Sequence, residues 1–283
     1  MNFERIVSID WSGAGTEKKG ARIAVCNYSK KTGKSRIVPP TKGTMWSRET
    51  CRNWLCRQLK RSGQTLFLID FGFSLPWGAQ QSVFGVKSWR AMIDAIDKEY
   101  TASGTARAMA KKKNLEPQFN GHGPYRFNDS RSDYVFYRDN DIAYYRLTEL
   151  IAPQALSQWY LGSGATVGFH TITGLSALSD LLRQRDANKF AFKVWPFEAL
   201  NKDEHQHIFA ESYPALFDKI NKPGGFKNKD EVDAWRVLEW AKGHLMNGTL
   251  DQRFAFPNFP MKHKCVKTIQ DQIDFEGCIL GLV

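Results

Sequence analysis

No stretch of the chain offers 18 consecutive apolar residues, so nothing in it reads as a helix that crosses a bilayer. The opening residues, MNFERIVSID, lack the charged head, apolar run and small-residue cleavage site of a secretory signal. Cysteine is scarce and unpaired: Cys26, Cys51, Cys56, Cys265 and Cys278 are odd in number and include no CxxC. That excludes a disulfide framework and the common zinc spacings, and places the expected setting in a reducing cytoplasm. Familiar catalytic signatures are missing too, since neither HExxH nor GxSxG occurs. SGAGTEKKGA lacks the Lys-Ser/Thr ending of a P-loop and does not fit GxGxxG. Acid is rare where base is dense. Residues 1–64 hold fourteen Lys or Arg against Glu4, Asp10, Glu17 and Glu49, within a chain of net charge +11. An excess this local is expected of a face that meets polyanions, or of a basic solvated surface.

What is present is an ordinary core-forming composition in 283 residues, enough for one large domain or two. Residues 4–9 read as a strand ending at Asp10, 21–28 as a second, and 35–39 as a third across the SKKTGK turn. Connections this short imply an antiparallel meander. A helix follows over SRETCRNWLCRQLKRSG, with Ser47 as N-cap and Gly63 as stop, and then QTLFLID at 64–70 reads as a strand buried on both faces. The crossover helix lets that fourth strand lie parallel to one already placed. Residues 71–164 change character, with two helical pieces over 87–115, and are expected to form an insertion or lid within a single domain spanning 1–283. A helix kinked at Pro153 is expected over 141–161, and another over 175–186. Strands are expected at 190–197 and 207–214, a long helix ending at Gly248, and a closing strand in DFEGCILGLV. The fold class is therefore α/β: a mixed sheet, meander plus parallel strands, flanked by helices and carrying a helical insertion.

Asp is depleted in strands and rarely buried unpaired, yet Asp10 and Asp70 each close a strand. Either acid alone can simply start a turn. On neighbouring parallel strands both would emerge at the carboxyl edge of the sheet, where open α/β folds bind ligands. Like charges placed so close are costly unless a cation joins them, and oxygen donors suit Mg²⁺ or Mn²⁺. Asp230 and Asp233 share a helical face that continues as Ala234, Val237 and Ala241, so they begin a stripe directed at the core. Helix capping, with Asp230 as N-cap, is the alternative for this pair. Glu211 closes a further strand and joins the candidate set. His170 is a weaker substrate contact, and His205 and His207 read as surface or core packing. PYRFNDSRSDYVFYR interleaves base with aromatic side chains, a pattern that stacks bases and clamps phosphates, or that anchors an insertion.

In order, SIDWSG, IDFGFSLP, VWPFE, ESYPA and DEVDAW resemble the ribonuclease H-like superfamily, and within it the predicted nucleases grouped as domain of unknown function 429. DEVDAWRVLEWA is also similar to the Asp-x-x-Asp-Ala segment of Holliday-junction resolvases. These blocks extend from the first strand to near residue 235. Asp70 stands where nucleases of the superfamily often carry Glu, and the 71–164 insertion is the grouping's own. The resemblance implies phosphodiester hydrolysis with two Mg²⁺ or Mn²⁺ ions held by Asp10, Asp70 and Asp233, with Asp230 and Glu211 completing the catalytic set. It implies a nucleic-acid partner gripped by Lys18, Lys19, Arg48, Arg52, Arg126 and Arg131, and no membrane partner. Two other readings stay open: an ATP-dependent phosphotransferase of the actin-like or sugar-kinase type, and a nucleic-acid-binding protein without turnover.

Overall fold

The computed structural model describes residues 1–14, 17–18, 20–127, 142–162, 166–201 and 206–282. Strands β1 (Arg5–Asp10), β2 (Ala24–Ser29) and β3 (Lys34–Ile37) form the meander. Helix α1 (Arg48–Leu59) crosses over to β4 (Thr65–Asp70). Ser47 caps α1 in a capping box with Thr50, as its position before Arg48 and Glu49 requires. Helices α2 (Trp89–Ser103), α3 (Ala106–Asn114), α4 (Leu147–Ile151) and α5 (Val167–Asp186) come next. The chain closes with β5 (Phe192–Val194), β6 (His207–Glu211), α6 (Lys229–Met246) and α7 (Ile269–Glu276).

The six strands form one sheet in the order β3-β2-β1-β4-β6-β5. β2 is antiparallel to β1 and to β3, while β4, β6 and β5 run parallel to β1. This is the expected mixed sheet, consistent with a ribonuclease H-like architecture. Alternation along the strands divides the core in two. Val7, Ile9, Phe67, Ile69 and Phe209 face one way, into a cluster shared with α1, α2, α3 and α5. Ile6, Leu66, Leu68 and Ala210 face the other way, against Ala234, Val237, Leu238 and Ala241 of α6. Helices α2 and α3, both from the 71–164 segment, thus lie on the sheet face opposite α6.

Three elements differ from expectation for identifiable reasons. Helix α5 starts at Val167 rather than 175, because its internal glycine serves packing: a Cβ on Gly174 would lie 2.3 Å from the Phe71 ring. Only Leu147–Ile151 of the 141–161 segment is helical, and Ala152 turns extended ahead of Pro153. The closing strand is absent. α7 occupies part of that segment, and Ile279 makes a single bridge to Glu211 between Gly277 and Gly281, whose φ values of 77° and 83° interrupt an extended run.

Candidate active site

Asp10 and Asp70 are register partners at the ends of parallel neighbours β1 and β4. Adjacent strands lie about 4.8 Å apart and paired residues point to the same face. Counting back through Ile6, Leu66 and Leu68 shows that this is the face covered by α6. Helix α6 crosses β1 and β2 and brings its first turns over the two strand ends. Asn228, not Asp230, caps α6, its side chain accepting from the Glu231 amide at 2.9 Å. Asp230 and Asp233 are thereby released from capping, and the stripe below them (Val237, Ala241) is buried as expected.

The four carboxylates raise one another's proton affinity. Asp10 is pushed well above the usual carboxylate range by burial first, then by Asp70, Asp230 and Asp233. Asp70 is pushed up to about 8 by burial, then by Glu211 and Asp233. Burial also raises Asp230 and Asp233. Counter-charge is thin: Arg22, ahead of β2, acts on Asp230, Lys229 Nζ lies 3.7 Å from Asp233, and Arg236 Nη1 lies 4.0 Å from it but 2.8 Å from Asp218. Among the described residues neither the Asp10 nor the Asp70 side chain makes a hydrogen bond or ion pair. Asp10 is buried and Asp70 half-buried, and oxygen-only donors of this kind fit a hard divalent cation. As the side chains stand, no three His, Cys, Asp or Glu among the described residues converge on a single ion position.

Glu211 ends β6 at the same edge of the sheet and is near enough to raise the proton affinity of Asp70, but its side chain is engaged in a separate assembly. In β6 it alternates with Ala210 and pairs with Ile69, so it points away from α6. There Arg146 grips it bidentately at 2.5 and 2.8 Å, and the Phe73 amide donates to it at 2.8 Å. Arg146, fully buried, also binds Glu149 at 2.6 and 2.8 Å. Nearby Glu276 accepts from the Trp77 and Leu147 amides at 2.6 and 2.8 Å, and burial raises it to about 7. With its oxygens so engaged, Glu211 braces the site rather than offering a free ligand.

Between this assembly and Asp70 lies a cavity of about 170 Å³, lined by Gln158, His170, Ser212 and Tyr213 among others. Sequence reasoning ranked His170 low and did not single out Gln158, Ser212 or Tyr213, although Ser212 and Tyr213 lie inside the ESYPA block. Burial, helped by Arg48, pulls His170 down to about 4, so it is a neutral imidazole near pH 7. Ser212 Oγ is buried without a partner. His207 is a packing residue as expected: Nδ1 accepts from the Thr65 amide and the ring meets Phe67 edge-on. His205 lies outside the described residues.

The expected phosphate-gripping set is largely redistributed. Arg48 is 1 % exposed, which removes it from any surface role. It donates to the carbonyls of Ser12 and Ala14 and pairs with Glu17, because the turn after β1 presents acceptors that need a buried donor. Arg52 is held by Glu17 at 2.6 Å and Asp180 at 3.2 Å. Arg126 joins a bridge to Tyr160 through its backbone, and its guanidinium lies over Tyr144. Lys18 is exposed in a turn, while Lys19 and Arg131, with most of the aromatic-basic segment, lie outside the described residues. After β4, Phe71 and Phe73 are buried in the core.

Among the described residues no helix is long and apolar enough to cross a membrane. Comparison with protein-family models, with curated proteins and with solved structures returned no match.

Proposed function

We propose that this protein is a metal-dependent nuclease that hydrolyses phosphodiester bonds at the carboxylates of β1, β4 and α6. The observation that carries this reading is the Asp10–Asp70 register pair, one buried and one half-buried, without side-chain hydrogen bonds among the described residues and close to Asp230 and Asp233. An acid cluster held at the carboxyl edge of a mixed sheet is unfavourable by itself. It becomes favourable once a divalent cation shares the oxygens.

Asp10, Asp70 and Asp233 would together hold two Mg²⁺ or Mn²⁺ ions. Bound there, such ions supply a water of lowered pKa and neutralise the oxygen that leaves. The protein's share is orientation and charge. The β1–β4 ladder fixes Asp10 and Asp70 on one rigid frame, as a reacting centre requires. Asp230 would orient a water, and Lys229 and Arg236 oppose the rise that burial gives the proton affinity of Asp233. Neutral His170 and the unpartnered Ser212 hydroxyl offer polar contacts to the part of a substrate that enters the cavity beside Asp70.

The test is cleavage of a labelled panel (single strand, duplex, RNA–DNA hybrid, four-way junction, RNA) in Mg²⁺ or Mn²⁺, by the native protein beside Asp10→Asn. Cleavage that needs metal and is lost in the variant supports the reading. Equal rates in both proteins would sink it.

A further inference from the structure

At the other end of the sheet lies a larger groove, of about 660 Å³, whose lining includes Arg5, Lys30, Lys31, Lys34, Arg36 and Arg61. The ladder explains the gathering. Arg5 pairs with Ser29 and Ser29 with Lys34, while Val7 pairs with Asn27 and Asn27 with Arg36. These rungs share the sheet face that carries Val7, so Arg5, Lys34 and Arg36 rise from one pleated floor. Lys30 and Lys31 rim it from the β2–β3 hairpin, and Arg61 walls it just beyond α1.

The charge here is not neutralised. Glu4 is the only acid in the lining, at 3.9 Å from Arg5. Among the described residues the Lys30 side chain bonds to Asn2, that of Arg36 to Asn27 and that of Arg61 to Gln58, all neutral. Lys31 and Lys34 have no side-chain acceptor among the described residues. Arginines on the helical layer behave differently, since Arg52, Arg90, Arg183 and Arg185 all pair with carboxylates. Like charges even crowd: burial first and then Arg61 lower the proton affinity of Arg5. An exposed concavity with six cations and a single carboxylate in its lining is shaped for several phosphates.

We infer that this groove is a second nucleic-acid contact that holds a phosphate backbone at the end of the sheet opposite the carboxylates. β1 spans about 17 Å between the two regions. The groove also lies on the face of the sheet opposite the one that carries Asp10 and Asp70, so a strand gripped there makes a contact separate from the one at the carboxylates. The contacts are to phosphate alone, so the grip is independent of base sequence. The choice of nucleic acid among polyanions rests on the nuclease reading above.

The decisive experiment measures anisotropy of a labelled duplex and a labelled single strand, in chelator so that nothing is cut, across a salt series. A Lys30→Glu/Lys31→Glu/Lys34→Glu protein is compared with a control of equal charge change, Lys111→Glu/Lys112→Glu/Lys267→Glu, at exposed positions outside the groove. Melting temperatures verify that both fold. The expected result is at least a tenfold loss of affinity in the groove variant, with the duplex salt slope flattened by about 3. The control should change less than threefold. Equal loss in both variants, or no salt-dependent binding by the native protein, overturns the groove. Failure here stays separate from failure of the carboxylate reading. If Asp10→Asn abolishes cleavage while the groove variant binds normally, only the groove falls.

Discussion

Asp10 and Asp70 share a rung: each is the last residue of its strand, and the β1–β4 ladder holds them side by side beneath α6. That relationship leaves two adjacent carboxylates to neutralise, by protons or, on the reading proposed above, by a cation that also serves the chemistry.

The chemical demand predicts that Asp10→Asn lowers metal-dependent cleavage by at least a hundredfold while nucleic-acid affinity in chelator stays within about threefold of native. Side-by-side rate and anisotropy measurements check both halves.

The proton demand predicts an unusual pH profile. Asp10 and Asp70 have folded-state pKa values above their unfolded ones, so the native state holds protons that the unfolded chain releases. Their contribution is fully present below about pH 4, and for Asp70 is lost as the pH rises through about 8. Glu276, at about 7, acts in the same direction. In chelator, the melting temperature should therefore fall between pH 5 and 8. Mg²⁺ should restore part of it at pH 8, and Asp70→Asn should raise it by a few degrees without metal. A flat profile would contradict the strain assigned to the pair.

The Arg146 assembly predicts a large stability effect remote from the chemistry. Arg146→Met leaves Glu149 and Glu211 buried without their cation, a loss of about 3–5 kcal/mol. Urea denaturation measures it, and a change below about 1 kcal/mol would argue against a buried, ionised assembly.

Gly13 predicts intolerance of a single methyl group. A Cβ there would lie 2.4 Å from the Phe169 carbonyl carbon and 2.6 Å from the His170 amide, both backbone. Gly13→Ala should cost about 1–3 kcal/mol, because α5 cannot yield without disturbing its own first turn. Thermal melts of the variant give the answer.

The meander, the crossover and the Asp10–Asp70 juxtaposition were legible because each follows from local pattern plus connection length. Asp230 and Asp233 were legible because a buried stripe continues beneath them. Glu211 misled because the face of a strand-terminal side chain depends on register, and register between β4 and β6 is not written in either segment. Arg48 misled because its helical spacing resembles that of the exposed arginines, and only the fold brings the carbonyls of Ser12 and Ala14 to it. The basic excess of the first quarter was visible as composition. Its concentration around the β2–β3 hairpin depended on cross-strand pairing.

The buried charges around Arg146 join segments far apart in the chain: Phe73 and Trp77 through their amides, Glu149, Glu211 and finally Glu276. During synthesis that knot cannot be tied until α7 has left the ribosome, long after β1, β4 and their aspartates have emerged. The nascent chain thus carries Asp10 and Asp70 through the synthesis of every segment up to α7 without the brace beside them.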